Sequence, residues 1–130
     1  MKSIILAEDD TDDQDMVREI VQLTDSDVSL TIFPDGESLL ASMKKLTEIQ
    51  LPNLIVLDQN MPKLKGSETI WYLKEIRGFE NVPVVIYTTY HDNKFAETCK
   101  KMNVELFQKP DTFDDFQRMI SGLIQRYVNG

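Results

Sequence analysis

The feature that most constrains the fold is an alternation of short apolar runs with longer segments of helical periodicity. The apolar runs are rich in Val, Ile and Leu and cover residues 3–8, 28–33, 54–58, 82–88 and 104–108. Between and after them, apolar side chains recur every three or four positions, as in residues 11–25 and 111–127. Strands that alternate with helices form a parallel sheet covered on both faces. The sequence therefore predicts an α/β fold of five strand–helix pairs.

Several local signals refine this prediction. Thr11 stands where an N-cap is favoured at the start of the first helix. The second strand alternates apolar and polar residues, which predicts a less buried, edge-like position. Asn103 follows the fourth helix, where a left-handed C-cap residue is expected. The stretch KKLTEIQLPN, residues 44–53, lengthens either the second helix or the loop after it.

Composition narrows the class of protein. The 130 residues suit one domain, and the net charge of −8 argues against broad contact with nucleic acid or an anionic membrane. Cys99 is the only cysteine, so no internal disulfide forms, and its place on the apolar stripe of the fourth helix predicts a core position. No apolar run approaches the roughly 20 residues of a membrane span. The start, MKSIILAEDD, lacks the pattern of a secretory signal, and we expect a cytoplasmic protein.

Polar residues collect where the strands end. In such sheets, ligands bind at the carboxyl ends of the strands. Carboxylates that converge repel one another unless a cation lies between them, and Mg²⁺ prefers oxygen ligands. An aspartate can attack phosphorus, while a metal, an ammonium and a hydroxyl stabilise the transferring oxygens. The residues at these ends are Glu8, Asp9 and Asp10 after strand one, Asp58 on strand three, Thr88 and Thr89 after strand four, and Lys109 after strand five.

In this order the motifs resemble the response-regulator receiver domain of two-component signalling. The matching segments are LAEDD (6–10), VLDQNMP (56–62), Gly66, VVIYTTY (84–90) and QKP (108–110). The resemblance covers essentially the whole chain and implies a flavodoxin-like (βα)5 doubly wound sheet with strand order 2-1-3-4-5. It also implies a single receiver domain over residues 1–130 with no output domain, similar to the single-domain chemotaxis regulators.

The resemblance further implies a role for each matching residue. Asp58 is the phosphoacceptor. The Mg²⁺ ligands are Asp9, Asp58, the backbone carbonyl of Asn60 and, through a water molecule, Glu8. Thr88 hydrogen-bonds the phosphoryl oxygen after transfer, and Lys109 pairs with Asp58 or its phosphoryl group. The peptide bond between Lys109 and Pro110 is cis in the family.

One position departs from the family pattern. Leu106 stands where the family usually has a switch Tyr or Phe, and the aromatic residue is its neighbour, Phe107. Strand alternation sends neighbours to opposite faces, so Phe107 is a poor substitute and output is expected to depend on movement of the loop and the fourth helix. Asn60 and Tyr90 are predicted to tune the phosphoryl lifetime, because both flank the path of the attacking water.

Other residues have simpler interpretations. Asp12, Asp13 and Asp15 are predicted to form a solvated helix start, and Asp10 is left open between a loop cap and a group behind the metal ligands. His91 is predicted to be a surface residue. Trp71 and Tyr72 are adjacent, so at least one of them leans off the core, and partial burial is expected.

The function implied is a stand-alone response regulator that is not an enzyme beyond its own phosphorylation and dephosphorylation. A histidine kinase or histidine phosphotransfer protein donates to Asp58. Output goes to a protein target at the face formed by helix four, strand five and helix five, including Phe95, Lys100 and Lys101, and a homodimer is a possible state. The alternatives are a degenerate receiver that only docks, a phosphatase of the haloacid dehalogenase type and, more remotely, a flavin-binding protein.

Overall fold

A computed structural model describes residues 2–90 and 92–130. Five parallel strands form one sheet in the order β2-β1-β3-β4-β5, which confirms the predicted α/β flavodoxin-like topology. The strands are β1 (Ser3–Ala7), β2 (Ser29–Phe33), β3 (Leu54–Asp58), β4 (Val84–Thr88) and β5 (Glu105–Gln108). The helices are α1 (Thr11–Thr24), α2 (Gly36–Met43), α3 (Gly66–Leu73), α4 (Asn93–Lys101) and α5 (Phe113–Leu123), which continues as a π-helical turn (Ile124–Val128).

Burial of the strands follows their place in the sheet. β3 and β4 are interior strands and all their residues are buried. β2 lies at an edge and has no buried residue, as its alternating pattern predicts.

Two hydrophobic clusters cover the two faces of the sheet. The α1–α5 face contains Leu6, Val56, Val85 and Tyr87 from the strands, packed against residues such as Ile20 and Phe116. The α2–α4 face contains Ile5, Ile55, Leu57 and Ile86, packed against residues such as Leu39, Ile70 and Cys99. Alternate residues of each strand therefore belong to different faces, and Cys99 is a core residue as predicted.

The helix ends correct one prediction, decide between two alternatives and confirm a third expectation. Asp10, not Thr11, caps α1, because its carboxylate accepts a hydrogen bond from the Asp13 amide at 3.0 Å. α2 ends at Met43, so the stretch 44–53 forms a loop with a 3-10 turn rather than a longer helix. Asn103 has φ of 58°, which confirms the predicted left-handed residue after α4.

Further predictions concern the surface and the backbone. The side chains of Trp71 and Tyr72 are both exposed, because both lie on the solvent side of α3 beside the buried Ile70. Every peptide bond among residues 2–90 and 92–130 is trans, so the cis bond expected at Lys109–Pro110 is wrong for this structure, which adopts the generally preferred isomer.

Two further expectations concern His91 and membrane-spanning helices. His91, predicted to be a surface residue, lies outside the described residues. Among the helices of the described ranges, none combines the length and apolar character that crossing a bilayer requires.

Candidate functional site

Asp58 lies at the carboxyl end of β3 and is 3% exposed. One carboxylate oxygen, Oδ1, accepts a hydrogen bond from the Asn60 amide at 3.1 Å. The other, Oδ2, lies 3.7 Å from Nζ of Lys109. An apolar strand thus ends in a carboxylate that is held by one amide and one ammonium at the edge of the sheet.

Glu8 follows β1 and is fully buried. Its Oε1 accepts a hydrogen bond from the Tyr87 hydroxyl at 2.5 Å, and its Oε2 accepts one from the Asp10 amide at 3.0 Å. Its backbone carbonyl accepts a hydrogen bond from the side chain of Gln14. A buried carboxylate is costly unless it is paired, and here the Tyr87 hydroxyl and the Asp10 amide each donate to one of its oxygens.

Lys109 joins the acidic residues from the end of β5. Its Nζ lies 2.8 Å from Oδ2 of Asp13, 3.1 Å from Oε1 of Glu8 and 3.7 Å from Oδ2 of Asp58. Its backbone amide donates to the Thr88 carbonyl at 2.7 Å, which ties the residue to β4. A single ammonium therefore neutralises part of the charge of three carboxylates.

The electrostatics of the site follow from this crowding. Burial and the negative charge of Glu8 raise the pKa of Asp58 to about 7, against the opposing effects of Lys109 and the Asn60 amide. Burial lowers the pKa of Lys109, but hydrogen bonding to Asp13 and the charges of Asp58 and Glu8 outweigh it and keep that pKa above its ordinary value. The site thus has more negative charge than its one lysine can neutralise.

The acidic cluster has the composition of a divalent-cation site. Glu8, Asp9 and Asp58 each offer a carboxylate oxygen, and these three oxygens lie within 4.8 Å of one another. Glu8 and Asp58 are buried, whereas Asp9 is exposed and open to solvent. Hard cations such as Mg²⁺ prefer oxygen ligands, and the raised pKa of Asp58 indicates negative charge that a cation can offset. The residues present therefore fit such an ion.

Thr88 and Asn60 contact each other next to Asp58, at the ends of β4 and β3. The Thr88 hydroxyl donates to the Tyr90 carbonyl at 2.8 Å and accepts from the Asn60 side-chain amide at 3.2 Å. The Tyr90 side chain is exposed. The structure thus brings Asn60 and Thr88 into contact, and it connects Tyr90 to them only through its backbone.

Gly66 allows the loop after β3 to return close to the site. A Cβ atom on Gly66 would lie 2.6 Å from the Asp58 carbonyl oxygen and 2.8 Å from Cδ1 of Ile86. The Gly66 amide donates to the Gln59 carbonyl, and the Gln59 side chain accepts from the Ser67 amide at 2.8 Å. Only a residue without a side chain allows this close approach.

Leu106 and Phe107 lie on opposite faces of the sheet, as alternation predicts. Leu106 packs against the cluster of the α2–α4 face, and Phe107 packs against that of the α1–α5 face. Phe107 is therefore directed away from the side on which Leu106 lies, and it does not take the place of an aromatic residue at position 106.

Two residues of the site were missed by the sequence analysis. Asp13 was interpreted as part of a solvated helix start, but it is half-buried and paired with Lys109, whereas Asp12 and Asp15 are exposed as expected. Tyr87 was given no role beyond its place in the fourth strand, but its hydroxyl binds Glu8. A tyrosine within a fully apolar strand needs a hydrogen-bond partner, and that signal was available in the sequence.

Comparisons with known proteins show which family the chain resembles. A family model described as the response regulator receiver domain matches residues 4–121. Response regulator Rcp1 of Synechocystis is 30% identical over 126 residues, which cover 94% of this chain and 86% of that protein.

Solved structures extend the similarity to the whole fold. The crystal structure of the Mn²⁺-bound form of Rcp1 superposes with a TM-score of 0.85 at 29% identity, covering 98% of this chain and 95% of that one. The phosphorylated cyanobacterial phytochrome response regulator RcpA has a TM-score of 0.87 at 22% identity, covering 97% and 93% of the two chains, and supports the fold. With the sheet order, the family match and the similarity to Rcp1 in agreement, the chain belongs to the response regulator receiver domain family.

Proposed function

We propose that this protein is a stand-alone response regulator that accepts a phosphoryl group on Asp58 from a histidine kinase or a histidine phosphotransfer protein. The observation that carries the proposal is the placement of Asp58. Its carboxylate lies near the ammonium of Lys109 and near two further carboxylates, on the strand next to β4, which ends at Thr88. This is the edge of the sheet where ligands bind in this class of fold.

In the proposed reaction, Asp58 is the nucleophile. A carboxylate oxygen forms a bond to phosphorus while the bond from phosphorus to the donor imidazole nitrogen breaks, and the electron pair of that bond leaves with the imidazole. Lys109 stabilises negative charge on the transferring oxygens, because its ammonium already lies 3.7 Å from Asp58. Hydrolysis of the resulting acyl phosphate resets the protein, and no other enzymatic activity is proposed.

We propose Mg²⁺ as the cofactor. Its ligands would be the carboxylates of Asp9 and Asp58 and the backbone carbonyl of Asn60, with Glu8 binding through water. When bound, the ion supplies positive charge that offsets the charge of the transferring phosphoryl oxygens. The Mn²⁺-bound form of the 29% identical Rcp1 supports a divalent ion here.

Thr88 is proposed as the residue that senses the phosphoryl group. Its hydroxyl donates to the Tyr90 carbonyl before transfer, so turning toward a phosphoryl oxygen gives up that hydrogen bond. Release of the Tyr90 carbonyl then alters the segment that leads into α4. This route needs no aromatic residue at the position of Leu106. Asn60 and Tyr90 remain proposed as the residues that set the phosphoryl lifetime.

The proposed output surface is the α4–β5–α5 face. Lys100 and Lys101 are exposed on α4, and Phe95 is half-buried there. The two lysines are proposed to offer positive charge to a protein target or to a second copy of the chain. A cytoplasmic location accords with a cytoplasmic phosphodonor and is part of the same proposal.

The testing experiment measures the intact mass of the protein after incubation with acetyl phosphate and Mg²⁺. We expect wild type to gain one labile phosphoryl group, and Asp58→Asn or removal of Mg²⁺ by a chelator to prevent the gain. If neither acetyl phosphate nor a panel of phosphorylated histidine phosphotransfer proteins modifies wild type, the chain is a docking module that keeps the site without using it, and the proposal is wrong.

A further inference from the structure

Tyr87 is a buried tyrosine in a strand whose other residues include Val84, Val85 and Ile86. Its side chain is 1% exposed, and its ring packs edge-on against Phe116, with the centroids 5.9 Å apart and an interplanar angle of 88°. Phenylalanine satisfies the same packing. The hydroxyl, which is costly to bury without a partner, therefore needs a separate explanation.

The hydroxyl of Tyr87 reaches Glu8, which is 79 residues away in sequence. The O–O distance of 2.5 Å to Oε1 is that of a strong, charge-assisted hydrogen bond. Burial and the charge of Glu8 raise the pKa of Tyr87 well above its ordinary value, so the hydroxyl keeps its proton and acts as the donor.

The donors around Glu8 determine how its carboxylate is oriented. Tyr87 and Lys109 both contact Oε1, while the Asp10 amide donates to Oε2. Rotation of the carboxylate about its own axis breaks contacts at both oxygens. Among these donors, Tyr87 combines two properties. Its hydroxyl is uncharged, and its ring is fixed in the core between β4 and α5.

Tyr87 also contacts the lysine of the site. Nζ of Lys109 lies 5.3 Å from the centroid of the Tyr87 ring, within range of a cation–π interaction. A single side chain thus touches both the acid behind the cation site, through its hydroxyl, and the ammonium that faces Asp58, through its ring.

We propose that Tyr87 is a positioning residue that orients Glu8 and thereby sets the affinity of the acidic cluster for a divalent cation. This inference rests on the proposed function, since it assigns Glu8 to the cation site. Groups that hydrogen-bond a metal's ligands fix their orientation, and their loss typically costs about 10- to 100-fold in metal affinity. Glu8 is proposed to act through water, so we expect the lower end of that range.

The test compares the Mn²⁺ affinity of wild type and Tyr87→Phe at pH 7.5, from the electron paramagnetic resonance signal of free Mn²⁺. Phenylalanine keeps the ring, and with it the contacts to Phe116 and Lys109. We expect Tyr87→Phe to bind Mn²⁺ about 10-fold more weakly than wild type. Tyr127→Phe is the matched control, because it also removes a hydroxyl bonded to a glutamate, Glu105, but at a distance from the site.

A second variant, Glu8→Gln, distinguishes an effect that acts through Glu8 from a general structural loss of Mn²⁺ affinity. If Tyr87 acts through Glu8, then Tyr87→Phe weakens Mn²⁺ binding less in the Glu8→Gln background than in wild type, as a double-mutant cycle detects. An equal effect in both backgrounds overturns the proposal.

The outcomes separate this inference from the proposed function. Wild type that binds Mn²⁺ and is phosphorylated, together with Tyr87→Phe of unchanged affinity, overturns the role of Tyr87 and leaves the proposed function standing. Wild type that neither binds Mn²⁺ nor accepts a phosphoryl group overturns the proposed function, and the inference is overturned with it.

Discussion

Both faces of the sheet are packed with aliphatic side chains, but three charged groups of the site follow strand residues of the α1–α5 face. Glu8 comes two residues after Leu6, Asp58 two after Val56, and Lys109 two after Phe107, and all three of those apolar residues belong to the α1–α5 face. Thr88 comes two residues after Ile86, which belongs to the α2–α4 face. Strand alternation therefore gives Glu8, Asp58 and Lys109 a different register from the hydroxyl that is proposed to sense the phosphoryl group.

The difference between the two faces indicates how the site is connected to the proposed output surface. The acidic cluster is supported from behind by Tyr87 and by Asp13 of α1. Within the described residues, the α4 side meets the site at the strand end, where Asn60 and Tyr90 contact Thr88. Changes on the α1–α5 face should thus alter ion binding, and changes on the α2–α4 face should alter stability without altering ion binding.

The largest expected effect comes from Lys109→Met. The substitution leaves Asp13, Glu8 and Asp58 without their shared ammonium, and uncompensated buried charge typically costs about 3–5 kcal/mol of unfolding free energy. We expect a loss of about 3 kcal/mol at alkaline pH and a smaller loss at acidic pH, because the ammonium lowers the pKa of Asp58 and its removal lets Asp58 take up a proton more readily. Urea unfolding in the presence of a chelator measures it. Lys101→Met, exposed on α4, is the control and should change stability little.

The second prediction concerns pH. The pKa of Asp58 is raised from 3.8 to about 7, so folding favours its protonated form, and this contribution to stability is present below pH 4 and is lost as pH rises through 7. Without metal, Asp58→Asn should therefore have a higher melting temperature than wild type at pH 8. The difference should shrink toward pH 4. A difference that grows as the pH falls contradicts the assigned electrostatics.

The third prediction compares the effects on stability of substituting two glycines, Gly66 and Gly122. Gly66→Ala places a Cβ atom against the Asp58 carbonyl and Ile86, and such overpacking typically costs about 1–3 kcal/mol. Gly122 lies within α5 with open space where a Cβ atom would stand, so Gly122→Ala should stabilise the protein by about 0.5–1 kcal/mol. Opposite signs in thermal unfolding confirm the prediction, and a neutral Gly66→Ala contradicts the close approach at the site.

The smallest expected effect on the site is that of Cys99→Ala on the α2–α4 face. Cys99 is buried in the cluster of that face, and the substitution should cost about 1 kcal/mol, a typical value for a point mutation. Mn²⁺ affinity and phosphorylation by acetyl phosphate should be unchanged. A weaker Mn²⁺ affinity in this variant shows that the two faces are coupled more tightly than their packing indicates.

The sequence by itself determined the order of the elements and the residues at the strand ends. Apolar runs are a local property, so β3 was predicted with the bounds it has in the structure, and Asn103 was recognised from its place after a helix. The acids Glu8, Asp9 and Asp58 could be brought together in advance, because parallel strands place their carboxyl ends at one edge.

Only the tertiary structure decided which side chains complete the site. Tyr87 reaches Glu8 and Lys109 reaches Asp13 across gaps in sequence that no local pattern spans. Helix ends such as that of α2 at Met43, and the exposure of Trp71, likewise depend on which surfaces the neighbouring elements leave uncovered. Periodicity specifies the face on which a residue lies, whereas its partner is set by the packing of whole elements, and that packing is a long-range property of the fold.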